Sequence, residues 1–302
     1  EGGQMNGSPG NGEADGDLTL KAGDDVYVHG KLTTLDGSGG DIEITASDDT
    51  IHLYGNVTAD QTDGGDIILH NNTEVADGVT LDAGHNVEAF STLHGNGSLT
   101  VLADTNIKLK GHTDTVGDMM LDAGDSIKAD RSLTSGNELT ALADWNIELG
   151  GHVESTSDMM LDAGNNITAV KSLTSGGKLT ALADRNIDLD GVVSSTSDMM
   201  MDAGNNIKSR KWLNSGGLLT AEADWNIELD GDLISTDDMM LDAGNKIVVG
   251  NKITSGGKLT ALAGNRIIFN RWAQSEGDML LDADNDVYAY GDLTSNNGSI
   301  DI

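Results

Sequence analysis

Apolar and polar residues alternate along this chain in short runs, and the pattern restarts every twenty residues. Within residues 178–197, Leu179 and Ala181 would share one face of an extended strand, and Ile187 and Leu189 one face of the next. An apolar period of two predicts β-strands, and the polar turn residues between the runs keep each strand short. An α-solenoid is excluded, because the repeat is too short for two helices and too rich in Gly, Thr, Asn and Asp.

The pattern repeats without insertion from residue 78 to residue 297, as eleven units of twenty residues. One such unit cannot bury its own apolar face, so stacked units must share a continuous core. Stacking of the units at about 4.8 Å would close the chain into a β-helix. We therefore predict an all-β fold, a parallel β-helix (β-solenoid) of about 14 coils with 20 residues in each regular coil.

The predicted solenoid is a single domain that covers residues 17–302. Residues 17–77 form irregular coils, residues 78–297 form the eleven regular coils, and residues 298–302 begin one more strand. Residues 1–16 have the composition of a flexible segment, or of one that is held by a partner.

Close sequence similarity returns every forty residues rather than every twenty. At the fourth position of successive units a large residue alternates with a small one, as in Leu161 and Ala181. The twelfth position alternates in the opposite phase, as in Ala169 and Leu189. Because a narrow core must be filled at nearly crystalline density, we predict that the packing unit is a pair of coils.

The ninth position of the units is Asn in most coils. Asn tolerates the left-handed backbone conformation that tight corners need, and stacked Asn amides form hydrogen-bonded ladders. We predict a structural Asn ladder, with a ligand-binding role as the alternative. Its members are Asn86, Asn106, Asn146, Asn166, Asn186, Asn206 and Asn226.

The third and fifth positions of each unit are expected to point outward, because the second, fourth and sixth form the core. Long apolar side chains at the two outward positions would form a nearly continuous stripe that is broken at Glu222. Such a stripe predicts a lateral interface, and a tolerated solvent-facing stripe is the alternative. The stripe consists of Leu102, Met120, Leu142, Met160, Leu182, Met200, Met240, Leu262 and Leu280.

The 302 residues include 50 acidic and 17 basic ones, so the formal charge is −33. This charge argues against a nucleic-acid partner, which requires a positive surface. There is no Cys for disulfides or thiolate metal sites. No run approaches the roughly 20 apolar residues of a spanning helix, so no transmembrane segment is predicted. Because the chain begins at Glu1 without a signal-like apolar region, we expect a processed or excised chain.

Catalytic chemistry is not indicated by the sequence. The seven His residues are scattered without metal-ligand spacing, and no known catalytic motif occurs. Acidic residues recur at one position of alternate coils, where they would lie about 9.6 Å apart, too far for one Ca²⁺ to bridge. We therefore expect no enzyme activity, no catalytic residue and no cofactor. The weak candidates for Ca²⁺ binding are Asp122, Asp162, Asp202 and Asp242.

Two units show a common order of Gly, alternating Leu and Thr, Ala, a turn, Ile, Gly and a strand of small residues. They are GDLTLKAGDDVYVHGKLTT (16–34) and GGKLTALADRNIDLDGVVSS (176–195). This order resembles the repeats of filamentous haemagglutinin, of related two-partner-secreted exoproteins and of the stems of contact-dependent growth-inhibition toxins. The resemblance covers roughly residues 16–302. It implies a right-handed parallel β-helix, export to the cell surface, and a role as a stalk or an adhesive fibre.

The function predicted from these observations is structural. We expect a non-enzymatic extracellular protein that polymerises with copies of itself as a fibre or as a filament of a biofilm matrix. The cell surface or glycans are further candidate partners. The alternatives are a fragment of a long bacterial surface adhesin stalk and, as a third reading, a carbohydrate-active β-helix enzyme.

The two ends of a β-helix expose unpaired backbone groups that recruit further strands. Repetition of such a head-to-tail contact would give a filament. The end-to-end contact is predicted to join the last strand of one copy to the first coil of the next. It involves Ser299, Ile300, Asp301 and Ile302 on one side and Leu18, Thr19 and Leu20 on the other.

Overall fold

The computed structural model describes residues 12–35, 37 and 39–302. The regular structure of these residues is entirely β-strand. The chain divides into two compact units, unit 1 through Glu154 and unit 2 from Ser155. The fold is a parallel β-solenoid of about 14 turns. The fold class predicted from the period-two alternation is therefore confirmed.

The strands up to the end of unit 1 are short. They are β1 (Gly12–Ala14), β2 (Leu18–Ala22), β3 (Val26–Val28), β4 (Leu32–Thr34), β5 (Ile42–Ala46), β6 (Ile51–Leu53), β7 (Val57–Thr58), β8 (Ile67–Leu69), β9 (Thr73–Val75), β10 (Thr80–Ala83), β11 (Asn86–Ala89), β12 (Leu93–Gly95), β13 (Leu99–Ala103), β14 (Asn106–Leu109), β15 (Thr113–Thr115), β16 (Met119–Ala123), β17 (Ser126–Ala129), β18 (Leu133–Ser135), β19 (Leu139–Ala143), β20 (Asn146–Leu149) and β21 (Val153–Ser155).

Unit 2 continues the same succession of strands. They are β22 (Met159–Ala163), β23 (Asn166–Ala169), β24 (Leu173–Ser175), β25 (Leu179–Ala183), β26 (Asn186–Leu189), β27 (Val193–Ser195), β28 (Met199–Ala203), β29 (Asn206–Ser209), β30 (Leu213–Ser215), β31 (Leu219–Ala223), β32 (Asn226–Leu229), β33 (Leu233–Ser235), β34 (Met239–Ala243), β35 (Lys246–Val249), β36 (Ile253–Ser255), β37 (Leu259–Ala263), β38 (Arg266–Phe269), β39 (Ala273–Ser275), β40 (Met279–Ala283), β41 (Asp286–Ala289), β42 (Leu293–Ser295) and β43 (Ile300–Asp301).

Each unit contains three parallel sheets, because every strand pairs with the strand three places later. In unit 1 the first sheet has the order β1-β4-β7-β10-β13-β16-β19, the second β2-β5-β8-β11-β14-β17-β20, and the third β3-β6-β9-β12-β15-β18. In unit 2 the first sheet runs from β22 to β43, the second from β23 to β41, and the third from β24 to β42. One coil therefore contributes one strand to each sheet.

The register between regular coils is twenty residues in all three sheets. Leu179 pairs with Met199 in the first sheet, and Ile187 pairs with Ile207 in the second. The alternating side chains face either the core or the solvent, and the fourth and twelfth positions are inside. Leu161 and Ala181 are both 0% exposed. The predicted fourth-position column of the first sheet and twelfth-position column of the second sheet therefore stack large residues on small ones.

A column of buried hydroxyls was not predicted from the sequence. The eighteenth position of the units is Ser in most coils, and Ser175 is 0% exposed. Its Oγ lies 2.9 Å from the carbonyl of Ser157 and 2.9 Å from that of Lys178. In the next coil Ser195 donates instead to Ser197 O at 2.8 Å. The hydroxyls thus satisfy corner carbonyls, and their bonding pattern also has a period of two coils.

Corner glycines lie against the backbone of the preceding coil in alternate coils. A Cβ on Gly204 would overlap the carbonyl of Asp184, and a Cβ on Gly176 would overlap the carbonyl of Thr156. The same contact recurs at Gly124, Gly136, Gly216, Gly244 and Gly256. In the intervening coils the equivalent positions mostly carry Asp and Thr. The residues at the corners therefore repeat every forty residues, as the core residues do.

The irregular coils are offset from the regular ones. Leu18 pairs with Ile42, twenty-four residues later, and Ile42 pairs with Ile67, twenty-five residues later. Strands β2 and β5 belong to the second sheet. Their sequences resemble the first strand of a regular unit, but the extra residues in these coils move them to the next sheet.

We expect that removal of residues 178–217 leaves unit 2 folded, whereas removal of residues 178–197 destabilises it. The forty-residue deletion places Leu161 below Ala221 and keeps large residues on small ones. The twenty-residue deletion places Leu161 below Met201. Overpacking of a core site costs about 1–3 kcal/mol. Thermal unfolding followed by circular dichroism gives the difference in stability.

The matched control is removal of residues 198–217, which takes out the other coil type. It would bring Ala181 below Ala221 and leave the core underfilled at this point, so it should also be destabilising. Equal melting temperatures for the twenty-residue and forty-residue deletions would contradict the coil-pair account.

A second prediction concerns Thr113, which occupies a core column that is mainly Leu and Val. Its side chain is 1% exposed, and its Oγ1 has no hydrogen-bond partner among the described residues. Because a buried unsatisfied hydroxyl costs about 1–3 kcal/mol, Thr113→Val should stabilise unit 1 by an amount of this order. The reverse change at the equivalent position, Val153→Thr, should destabilise it. Urea unfolding of the two variants tests the sign of each effect.

Candidate functional site

The outward face of the first sheet carries the predicted lateral stripe. In unit 2, Met160 lies beside Thr180 and Asp162 beside Leu182, so that Met160 and Leu182 are diagonal neighbours. Diagonal neighbours on a sheet lie about 7–8 Å apart, within reach of long side chains. Met160 is 37% exposed. The register repeats along the unit, and the diagonal continues through Met200, Met240, Leu262 and Leu280, with Glu222 as the predicted break.

Unit 1 carries the same arrangement in its first sheet. Thr100 lies beside Met120 and Leu102 beside Asp122, so that Leu102 and Met120 are diagonal neighbours. Leu142 follows in the next strand. Met120 is 37% exposed. Within each unit, the structure therefore brings the predicted stripe residues to one outward face.

Two half-buried carboxylates beside the stripe have raised pKa values. Burial raises the pKa of Asp162, and the nearby Asp184 carboxylate raises it further. In unit 1, burial likewise raises the pKa of Asp82, with Asp104 as a second cause. The two pairs have the same geometry, a fifth-position Asp and a seventh-position Asp of the next coil. The first-sheet face thus combines exposed and half-buried apolar side chains with half-buried acidic groups.

Asn side chains form hydrogen-bonded columns at the start of second-sheet strands. Nδ2 of Asn106 donates to Oδ1 of Asn86 at 3.0 Å in unit 1. In unit 2 the bonds join Asn186 to Asn166 at 2.8 Å, Asn206 to Asn186 at 3.0 Å and Asn226 to Asn206 at 2.9 Å. Asn146 occupies the equivalent place at the start of β20.

The expectation that these Asn residues have a left-handed backbone is wrong. Within the described part of the chain, a positive φ occurs only at glycines. The reason is that these Asn residues are the first residues of strands such as β11 and β26, and their backbone is already extended. The side chains thus contribute amide hydrogen bonds, and the turns at these Asn residues contain no left-handed residue.

The Asp residues at the first position of alternate coils accept hydrogen bonds from backbone N–H groups. Oδ1 of Asp158 accepts from the N–H of Lys178 at 2.8 Å, and Oδ1 of Asp198 accepts from the N–H of Leu218 at 2.9 Å. Each of these carboxylates satisfies an amide at a corner of the next coil. They are structural groups of the solenoid.

The described residues contain one group of three acidic side chains close enough to share an ion. It is formed by Asp24, Asp25 and Asp49, with one oxygen from each within 4.8 Å of the others. Carboxylate oxygens are the donors that Ca²⁺ prefers. The weak sequence candidates Asp122, Asp162, Asp202 and Asp242 are not part of this group. Asp25 is also engaged by protein groups, because Tyr27 Oη donates to it at 2.8 Å and Thr50 N at 3.1 Å.

Histidines in unit 1 pair with carboxylates on the outward face of the third sheet. The ring of His52 stacks on Tyr27 at a centroid distance of 4.6 Å, and its Nδ1 lies 3.1 Å from Glu74 Oε2. The hydrogen bond from Tyr27 lowers the pKa of Asp25. These side chains lie beside neighbouring carboxylates. The geometry of the cluster is that of ion pairs and ring stacking.

A buried carboxylate that sequence reasoning missed holds the irregular coils of unit 1. Asp60 is 0% exposed. Its oxygens accept from the backbone N–H groups of Gly39 at 2.6 Å and Thr62 at 2.8 Å, and also from Gly37 at 3.2 Å. Gly37 and Gly39 have φ values of 84° and 63°, in the left-handed region that favours glycine. The glycine-rich run at residues 37–40 was the available sequence signal.

The hydrogen bonds to Asp60 decide its ionisation. Burial by itself would raise the pKa of Asp60, but hydrogen bonds from Thr62, Gly39 and Asp63 outweigh it and hold the pKa well below its usual range. A carboxylate with a lowered pKa stabilises the fold at pH values above its unfolded pKa of about 3.9. This stability is lost as the pH falls through the lower folded pKa.

Asp60→Asn should therefore lower the melting temperature of unit 1 at pH 7. The amide removes the charge, and its nitrogen cannot accept the loop N–H groups. Because the wild type loses the same contribution in acid, the gap between the two proteins should narrow as the pH falls below about 4. Melting curves recorded at several pH values measure the gap.

Asp63→Asn in the same loop is the matched control, because the Asp63 side chain is exposed and only its backbone N–H reaches Asp60. It should leave the melting temperature and its pH dependence unchanged. A gap between Asp60→Asn and the wild type that does not vary with pH would contradict the ionic account.

The predicted end-to-end residues lie in two different sheets. Ile300 pairs with Met279 in the first sheet of unit 2, and Ile300 and Ile302 are 41% and 69% exposed. Residues 18–20 lie in β2 of the second sheet. Direct pairing of these two strands would join unlike sheets, because the irregular coils are offset. Among the described residues, the outermost strand of the first sheet in unit 1 is β1.

No family model, no curated protein and no solved structure matches this chain. The described residues also contain no helix that is long and apolar enough to cross a membrane.

Proposed function

We propose that the chain is a non-enzymatic, extracellular structural protein whose copies associate side by side into a fibre or matrix filament. The observation that carries the proposal is the apolar stripe on the first-sheet face, where Met120 and Met160 are each 37% exposed. Soluble monomers rarely leave large contiguous apolar patches in water. A second copy of the chain, presenting the same stripe, is the proposed cover.

The regular spacing of the stripe favours a copy of the same chain as the partner. Two solenoids with the same coil spacing stay in register along their length, so every Met and Leu of one stripe meets an equivalent place on the other. The formal charge of −33 opposes this contact. Association should therefore strengthen as added salt screens the repulsion.

The extracellular role rests on the resemblance of the repeats to filamentous haemagglutinin-like exoproteins. The same resemblance supports the alternative, a fragment of a long adhesin stalk, in which the coils serve as a spacer. The two functions differ in what the purified chain does. A fibre subunit associates with itself, and a stalk fragment stays monomeric.

The test is sedimentation velocity over a wide range of protein concentration, with the wild type and a Met160→Gln/Met200→Gln double variant. Burial of a Met side chain contributes about 1.5–3 kcal/mol. Because 1.4 kcal/mol corresponds to a factor of ten, the variant should need at least about tenfold more protein to associate. Electron microscopy of the wild type should show laterally paired or bundled particles.

The control places the same two changes on the same two coils but in another sheet. Thr174 and Asn214 are central residues of third-sheet strands, and their side chains point outward. Thr174→Gln/Asn214→Gln should associate like the wild type. A wild-type chain that stays monomeric at all concentrations would favour the stalk, and equal weakening by the control pair would contradict the assignment of the face.

The head-to-tail contact is a second proposal about assembly. A solenoid that continues from one copy to the next would match strands of the same sheet, so β43 of one copy would face β1 of the next rather than β2. Deletion of residues 298–302 should then shorten the particles seen by electron microscopy without reducing side-by-side pairing.

A further inference from the structure

One corner of unit 2 carries an exposed and a half-buried tryptophan together with basic residues. It consists of the three-residue turns that join the second sheet to the third in four successive coils. We call it the Trp corner, and it comprises residues 210–212, 230–232, 250–252 and 270–272. The turns stack directly, since Leu213 N donates to Asp232 O at 3.0 Å and Ile253 N to Trp272 O at 3.2 Å.

The indole of Trp212 is 54% exposed, and Trp272 is half-buried. This exposure is unusual, because Trp side chains are highly buried on average and commonly anchor binding surfaces when they are not. The two residues occupy the same position of their coils, three coils apart. Their separation along the solenoid is therefore about 14 Å.

The two coils between the tryptophans carry small or polar residues at the corner. Gly231 is buried, and a Cβ there would overlap the backbone of Lys211. Gly250 follows in the next coil. Asp232 and Lys252 occupy the same turn position as the two tryptophans, so they supply an acceptor and a donor between the two indoles. Lys252 Nζ also lies 5.6 Å from the centroid of the Trp272 ring, a cation–π contact.

The Trp corner differs in charge from the rest of the chain. Its twelve residues include four basic and two acidic ones, whereas the chain as a whole carries −33. Arg210 is paired with Asp188 and Asp190 of the preceding coil. The local balance is therefore close to neutral, while the overall field repels polyanions.

We propose that the Trp corner binds a neutral polysaccharide chain laid along the solenoid. Indole faces stack on the apolar faces of pyranose rings, and the carboxylate and ammonium groups between them match sugar hydroxyls, which both donate and accept. An extended β-1,4-linked hexose chain repeats at a length close to one coil spacing. Trp212 and Trp272 would therefore contact sugars about three residues apart along one chain.

This site is independent of the proposed self-association. The Trp corner joins the second and third sheets, whereas the apolar stripe lies on the outward face of the first. A monomer and an assembled fibre would both present it. In a fibre, the repeated corners would hold one long glycan at many points, and the effective concentration of each further contact would raise the avidity.

The experiment uses the full chain and two neutral probes, cellohexaose and chitohexaose. Intrinsic tryptophan fluorescence is titrated with each oligosaccharide, and affinity electrophoresis in gels containing hydroxyethylcellulose gives a second readout. The wild type should bind at least one probe with little dependence on salt. Trp212→Ala and Trp272→Ala should each raise the Kd about two- to tenfold, as loss of one stacked ring implies.

The matched control is Trp225→Ala. Trp225 is also 54% exposed, but it lies in the turn between the first and second sheets. This variant should bind like the wild type, and circular dichroism of all three variants should show an unchanged fold. The proposal is overturned if neither probe binds the wild type, if the two corner variants bind normally, or if Trp225→Ala weakens binding equally. Binding that disappears in moderate salt would also overturn it, since it would indicate an ionic contact.

Discussion

The parallel backbone ladder between coils is the interaction on which the rest of this structure depends. In the regular coils, main-chain hydrogen bonds run along all three sheets, so each strand residue lies directly on the residue twenty places earlier. The spacing between coils is then set by the peptide groups at about 4.8 Å. Core side chains, corner residues and surface groups must therefore fit a coil spacing that the backbone sets.

That constraint explains the forty-residue period in physical terms. A coil with large side chains at both its fourth and twelfth positions would be overpacked, and one with small side chains at both would leave a void. Leu161 is therefore matched by Ala169 in one coil, and Ala181 by Leu189 in the next. The corners face the same problem in the backbone, where Gly204 lies on the carbonyl of Asp184. Core and corner alternate together, and the pair of coils is the unit that both requirements share.

Side chains on the outward faces are not subject to these packing requirements and can bind partners. A side chain placed once per coil becomes a row, so a few residue choices produce an apolar stripe on the first sheet and a Trp corner between the second and third. Rigid spacing favours partners that are themselves periodic, such as another solenoid or a polysaccharide. Both proposals made for this chain use that property, on separate faces.

The amino-acid sequence by itself determined the strands, the twenty-residue coil, the core columns and the outward stripe, because each follows from a period-two alternation repeated at constant length. Only the tertiary structure decided the contacts between residues that are far apart in the sequence and do not follow the repeat. It placed β2 and β5 in the second sheet, since extra residues offset those coils, and it gathered loop amides around Asp60. It also showed that Asn86 needs no left-handed backbone and that corner glycines face carbonyls. These contacts depend on how one coil packs on the next, and the local sequence pattern does not specify the distances between coils.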